Sequence, residues 1–150
     1  MKFLMFLFIV SLLQGECYAQ NNVDDNKAIA MLKEFYWVHS NIESMIKSVP
    51  ANVYIGKTDS LQKKYCTSEL NKEAKRYSEN GFDLLTNDNG IDAESFKTMT
   101  IVKDSANKSI YTISYDGPSQ DRNFKPIRKH VVFHAGVVKE RENYKIASVK

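Results

Sequence analysis

Few side chains in this sequence can move a proton or hold a metal. There are three histidines, His39, His130 and His134. His130 and His134 lie four residues apart in a stretch of alternating pattern, so in a strand both rings leave the same face, about two pleats apart. That arrangement suits an acid–base pair or two metal ligands. It equally suits the polar face of a strand that also carries Arg128. His39 stands just after Phe35-Tyr36-Trp37. Asp83 and Asp88 occupy a polar stretch further on. A carboxylate brought to His39 would orient the ring and raise its basicity, giving a dyad for general acid–base work. The same aspartates suit loop structure, because an Asp side chain accepts from backbone amides a few residues ahead. Cys66 has no nucleophile signature around it and reads as a small buried hydrophobe beside Tyr65. Phe124 is different: it is an aromatic set among charges in Asp121-Arg122-Asn123-Phe124-Lys125, which suits a partner contact. The stretch from Asp83 to Asp92 lacks calcium-loop spacing. There is no phosphate-cradling glycine loop, metalloprotease helix motif or serine elbow. No metal and no cofactor are expected.

The elements that would position these groups follow from periodicity. Ile29, Leu32, Tyr36, Ile42, Met45, Ile46 and Val49 recur at three- and four-residue steps, which predicts an amphipathic helix from about 25 to 48, stopped by Pro50. A loop is expected over 51–57. Thr58 or Asp59 then caps a shorter helix carrying Leu61, Tyr65 and Cys66. Thr67 or Ser68 caps a third helical stretch with Leu70, Ala74 and Tyr77 buried, and Gly81 follows it. Residues 82–91 read as a loop that tucks Leu84 and Leu85 inward, with one helical turn over 92–96. From Thr98 the period becomes two. Strands are expected at 99–102, 109–115, 127–138 and 144–149, with Gly136 marking a bulge. A long polar loop is expected over 116–126. Tyr111, Ile113 and Tyr115 share one face; so do Tyr144, Ile146 and Ser148. Helices first and an antiparallel meander afterwards predict an α+β fold: N-terminal helices packed on a four-stranded antiparallel sheet.

Composition narrows the function classes. Of the 150 residues, 43% are hydrophobic and 26% charged, which is globular rather than disordered. A net charge of +3 is too mild for a nucleic-acid binder. Residues 1–19 read as a secretory signal peptide: Lys2, an apolar run from Phe3 to Leu13, then Cys17-Tyr18-Ala19 ahead of cleavage before Gln20. The run is too short for a membrane-spanning helix, and no later stretch replaces it. Cys17 raises the alternative of a lipoprotein, but Glu16 before it is wrong for lipid attachment. The exported chain, 20–150, is expected to be one domain, secreted or periplasmic, with Cys66 as its lone thiol.

Three features together carry a resemblance. They are the long helix with Phe35-Tyr36-Trp37, the segment Asp59-Ser60-Leu61-Gln62-Lys63-Lys64-Tyr65-Cys66-Thr67, and a meander closing on Val137-Val138-Lys139 … Tyr144-Lys145-Ile146-Ala147-Ser148-Val149. The chain resembles a small secreted bacterial family of unknown function with the curved, cone-shaped fold of nuclear transport factor 2 and the cystatin-like group. The resemblance implies a pocket between the long helix and a curved sheet. Its candidate lining residues are Tyr36, His39, Asp83, Tyr111, Tyr115, His130 and His134. Such folds serve binding modules and enzymes alike. With no complete catalytic constellation, the sequence favours a non-enzymatic binding or interaction protein, either an immunity or inhibitor type with an unknown protein partner or a small-ligand pocket. The alternative is an isomerase or dehydratase using a His–Asp pair.

Overall fold

The computed structural model describes residues 24–150. The expected export signal, Cys17 and the cleavage point before Gln20 lie outside the described residues. Helix α1 covers 24–44, and a turn over 45–49 leads to Pro50. Of the predicted stripe, Leu32, Tyr36 and Ile42 are in the core together with Ala28 and Phe35, whereas the helix stops at 44 rather than 48 and leaves Ile46, in the turn beyond it, exposed. Two acids at its start are tied to the sheet, with Asp24 3.9 Å from Lys139 and Asp25 paired with Lys103.

The region after Pro50 differs from expectation. Residues 51–57 are not a loop but the first half of helix α2, Ala51–Tyr65. Val53 and Tyr54 donate to the Pro50 carbonyl at 3.0 and 3.1 Å, so the proline opens this helix, the previous one having ended at residue 44. The reason the pattern hid it is that α2 buries only Leu61 and Tyr65, so its first half has no apolar stripe to read. Its far end is well anchored: Lys145 donates to the Lys63 carbonyl at 3.0 Å and to that of Lys64, both left without helical partners. Cys66 and Thr67 break the chain away, and Thr67 donates to the Ile146 carbonyl at 2.9 Å. The Thr67 hydroxyl then accepts from Leu70 at 3.3 Å and caps helix α3, Ser68–Ser78, as the sequence predicts. Gly81 follows with φ of +74°, the left-handed geometry that favours glycine. A short 3₁₀ turn, Leu84–Thr86, buries Leu85, and one turn of helix α4, Ser95–Thr98, precedes the strands.

Four strands follow: β1 Thr100–Lys103, β2 Ile110–Gln120, β3 Pro126–Glu140 and β4 Asn143–Val149. They form an antiparallel meander in the order β1-β2-β3-β4. The fold is α+β, with N-terminal helices packed against this four-stranded antiparallel sheet. Two strand expectations need correction. The loop expected over 116–126 shrinks to 121–125, because β2 runs on through Gly117 and Pro118 to Gln120. Proline is tolerated there because β1 stops pairing at Ser114, which leaves that edge of β2 open and needs no donor from Pro118. Gly117 permits a close approach, since a Cβ on it would sit 2.9 Å from the Gly90 carbonyl oxygen. The second correction concerns β4. The register slips between Gly136 and Val137, so Ile146 and Val149 are buried and Ser148 stands opposite Gly136 rather than sharing the Ile146 face.

One face of the sheet meets the helices. Tyr111, Ile113 and Tyr115 of β2 and Val131, Phe133 and Ala135 of β3 are buried there. A run of edge-to-face aromatic contacts joins the layers: Tyr65 to Phe35 (5.8 Å between centroids), Phe35 to Tyr36 (4.9 Å), Tyr36 to Phe133 (5.7 Å) and Phe133 to Tyr115 (6.2 Å).

Candidate functional site

The side chains between α1 and the sheet are buried. Tyr36 and Tyr115 are fully buried and Tyr111 nearly so. The Tyr36 hydroxyl donates to the Leu85 carbonyl at 3.2 Å, and the Tyr111 hydroxyl to Asp25 at 3.4 Å. Burial pushes the Tyr36 and Tyr115 hydroxyls up, and burial together with Asp25 pushes that of Tyr111 up to about 12. These three tyrosines are core side chains bridging the layers.

His130 and His134 lie on the opposite, open face of the sheet. They share a face, as their spacing predicts, but they engage different neighbours. His130 Nδ1 is 3.0 Å from Asp116, and His134 Nδ1 is 3.1 Å from the Thr112 hydroxyl. Each partner sits directly across the strand pair. Neither histidine comes near His39 or Asp83 through these contacts. Among the described residues no group of His, Cys, Asp and Glu has the geometry to hold a metal ion.

The remaining two candidates do come together, in a place the sequence did not indicate. A cleft of about 620 Å³ opens between α1, α2 and α3, on the side of α2 away from Lys64. Helix α1 and the turn after it contribute His39, Glu43 and Ile46, one face at steps of four and three. Helix α2 contributes Tyr54, Ile55, Thr58, Asp59 and Gln62. Ala74 and Lys75 of α3, Glu79 just beyond it and the Gly81-Phe82-Asp83 segment close it.

Within it, His39 Nε2 lies 3.5 Å from Asp83 Oδ2. Both Asp83 oxygens also serve the loop: Oδ1 accepts from the Leu85 amide at 3.0 Å and Oδ2 from the Thr86 hydroxyl at 2.6 Å. The Asp83 amide in turn donates to Asp88 at 3.4 Å. His39 is only 4% exposed, packs against Phe35, and its Nδ1 is buried without a partner. A dyad needs one ring nitrogen on the carboxylate and the other aimed at substrate. Here the second nitrogen faces protein. A second polar pair lies beside the first: the Tyr54 hydroxyl donates to Glu43, and burial and that carboxylate hold it well above the usual phenol range. With these groups paired among themselves, the cleft leaves two large apolar side chains open beside exposed polar ones, Asp59, Lys75 and Glu79. Ile46 and Ile55 are 53% and 56% exposed.

Sequence reasoning missed Glu43, Ile46, Tyr54, Ile55, Thr58 and Gln62. The His39, Glu43, Ile46 spacing was a usable signal, since all three must share one helical face. Reading 51–57 as a loop hid Tyr54 and Ile55, and no pattern marked Thr58 and Gln62 as facing this cleft. Cys66 is buried in the core, and burial pushes its thiol up to about 12, so it offers no thiolate. Phe124 is 81% exposed at the tip between β2 and β3.

By its architecture the chain joins the α+β proteins in which helices cover one face of an antiparallel sheet. It is similar to a crystal structure of a protein of unknown function from Bacteroides thetaiotaomicron VPI-5482, with a TM-score of 0.71 and 19% identity over 92% of this chain and 98% of that one. At this identity the likeness is one of fold alone. No protein-family model and no curated protein matches the sequence.

Proposed function

We propose that this is an exported, non-enzymatic binding protein of the nuclear transport factor 2-like group, and that its ligand enters the cleft between α1, α2 and α3. The observation that carries the reading is the division of labour in that cleft. Its central polar groups, His39 with Asp83 and Glu43 with Tyr54, face one another, while Ile46 and Ile55 stay open. A site built to turn over a substrate leaves a titrating nitrogen or carboxylate facing the substrate. A site built to hold an apolar body leaves apolar surface and a few polar groups at the rim, here Asp59, Gln62 and Lys75. The volume suits a small molecule with an apolar body and one polar end. Export is supported by the signal-like residues 1–19, and the group assignment by the helix-then-meander order and the sequence motifs.

The test is native mass spectrometry of the protein recovered from cell-envelope extract, followed by titration of what is found. A small molecule should co-purify and bind the wild-type chain, and Ile55→Asp should weaken it about tenfold or more by removing apolar contact area. Recovery of a stoichiometric protein partner with an empty cleft would overturn the reading. One observation favours a second reading, an isomerase-type enzyme: His39 and Asp83 are 3.5 Å apart and border the same cleft. Turnover of the recovered molecule, abolished by His39→Asn, would establish that second reading instead.

A further inference from the structure

We infer that the β2–β3 hairpin tip is a docking point for an anionic lipid bilayer surface, with Phe124 as the inserted side chain. Tyr115, Val131 and Phe133 still pack on the helices, but beyond Pro118 on β2 and before Arg128 on β3 the two strands have neither β1 nor β4 beside them and project as a two-stranded ribbon. Arg128 ties the base of the ribbon to the domain through Asp92, with contacts of 2.6 and 3.0 Å. The tip itself is fixed. Asp121 Oδ1 accepts from the amides of Asn123 at 2.8 Å and Lys125 at 2.9 Å, and the Phe124 amide donates to the Asp121 carbonyl at 3.0 Å.

Phe124 has φ of +59° in this turn, a left-handed geometry that glycine or asparagine ordinarily takes. A phenyl group there costs stability, and at 81% exposure it recovers none by packing. A large apolar group held in water at a strained position points to a use outside the domain. The surroundings say what kind. Between Pro118 and Lys129 stand four basic side chains, Arg122, Lys125, Arg128 and Lys129, and one acid, Asp121; that +3 balance equals the charge of the whole chain. Of the four cations only Arg128 has an ion-pair partner among the described residues. Exposed cations around one exposed aromatic fit an anionic surface that also accepts an apolar side chain. A bilayer requires no complementary shape, so a convex tip with one exposed aromatic among cations can seat in it without a matching pocket.

The test places the reporter on the hairpin, which separates it from the apolar residues 3–13 and from anything bound in the helical cleft. The chain has one tryptophan, Trp37. In the double variant Trp37→Phe, Phe124→Trp, fluorescence from position 124 should shift to the blue and be quenched by brominated lipid in phosphatidylglycerol vesicles. In phosphatidylcholine vesicles it should be nearly unaffected. Affinity should fall about fivefold for Lys125→Gln and decline further as salt rises. Phe124→Gly should raise the melting temperature by relieving the turn while weakening vesicle binding about tenfold. Absence of quenching, equal quenching by neutral vesicles, or a Phe124→Gly variant that melts lower and binds equally would each overturn the assignment. So would binding to an acidic polypeptide without binding to anionic vesicles.

Discussion

Helix α1 has two neighbours and meets them differently. Toward the sheet, Tyr36 meets Phe133 and Phe133 meets Tyr115, and all three rings are fully buried. Toward α2 and α3, His39, Glu43 and Ile46 border an open cleft of about 620 Å³. The first interface is dense because strand alternation and the helical stripe both supply large apolar side chains at matching positions. The second is open because the facing half of α2 buries no apolar side chain and holds on by a part-buried hydrogen bond, Tyr54 to Glu43. The side chains most suggestive of a pocket, the tyrosines, therefore make the core, and the cavity lies where the sequence pattern is weakest.

Substitutions on the two sides of α1 should differ in their effect. Tyr115→Ala, on the dense side, should destabilise the fold by about 3 to 5 kcal/mol, as for other large aromatic truncations in a core; chemical denaturation reads it directly. A loss below about 1 kcal/mol would mean the sheet-side core is looser than its burial indicates. Asp83→Ala removes the acceptor for the Leu85 amide and the Thr86 hydroxyl as well as the His39 contact, and should cost about 1 to 2 kcal/mol. If Asp83 acted only on substrate, its loss would leave the melting temperature unchanged. Acid should remove a smaller amount at the ribbon base. The Arg128 guanidinium holds the Asp92 carboxyl down at about 2, against an ordinary 3.8. A carboxylate with a lowered folded value stabilises the fold above its ordinary pKa, and the contribution disappears as pH falls from about 4 through about 2. Because the pair is well exposed to solvent, it should amount to at most about 1 kcal/mol and shrink in Arg128→Ala, where only the Ser95 amide and hydroxyl still hold the carboxylate, as seen in denaturation midpoints across that window. Smallest of all, Ile46→Ser and Ile55→Ser should change stability by less than about 0.5 kcal/mol, since both side chains already face water. A larger loss would mean that the cleft closes in solution and that the two interfaces of α1 are alike.

Much of the fold was legible. The burial of Leu32, Tyr36 and Ile42, a helix cap at Thr67 or Ser68, the shared face of Tyr111, Ile113 and Tyr115, and the bulge at Gly136 all follow from local rules that need no tertiary knowledge. The errors fall where local rules conflict with distant contacts. Residues 51–57 lack a stripe, yet they are helical because Pro50 presets the first turn and Tyr54 reaches Glu43. Gly117 and Pro118 read as a loop, yet they lie in a strand because the edge of β2 is open there.

The site was less legible than the fold for the same reason. That His39 and a loop aspartate are the candidates for a pair followed from residue type. Their actual separation, and the fact that both Asp83 oxygens are already engaged, depend on where α1 and the 3₁₀ turn pack. The layers were settled at the level of the chain, since periodicity states which face of each element must leave water. Which space between the layers filled and which stayed open was settled in three dimensions, because it depends on side chains far apart in the chain meeting or failing to meet.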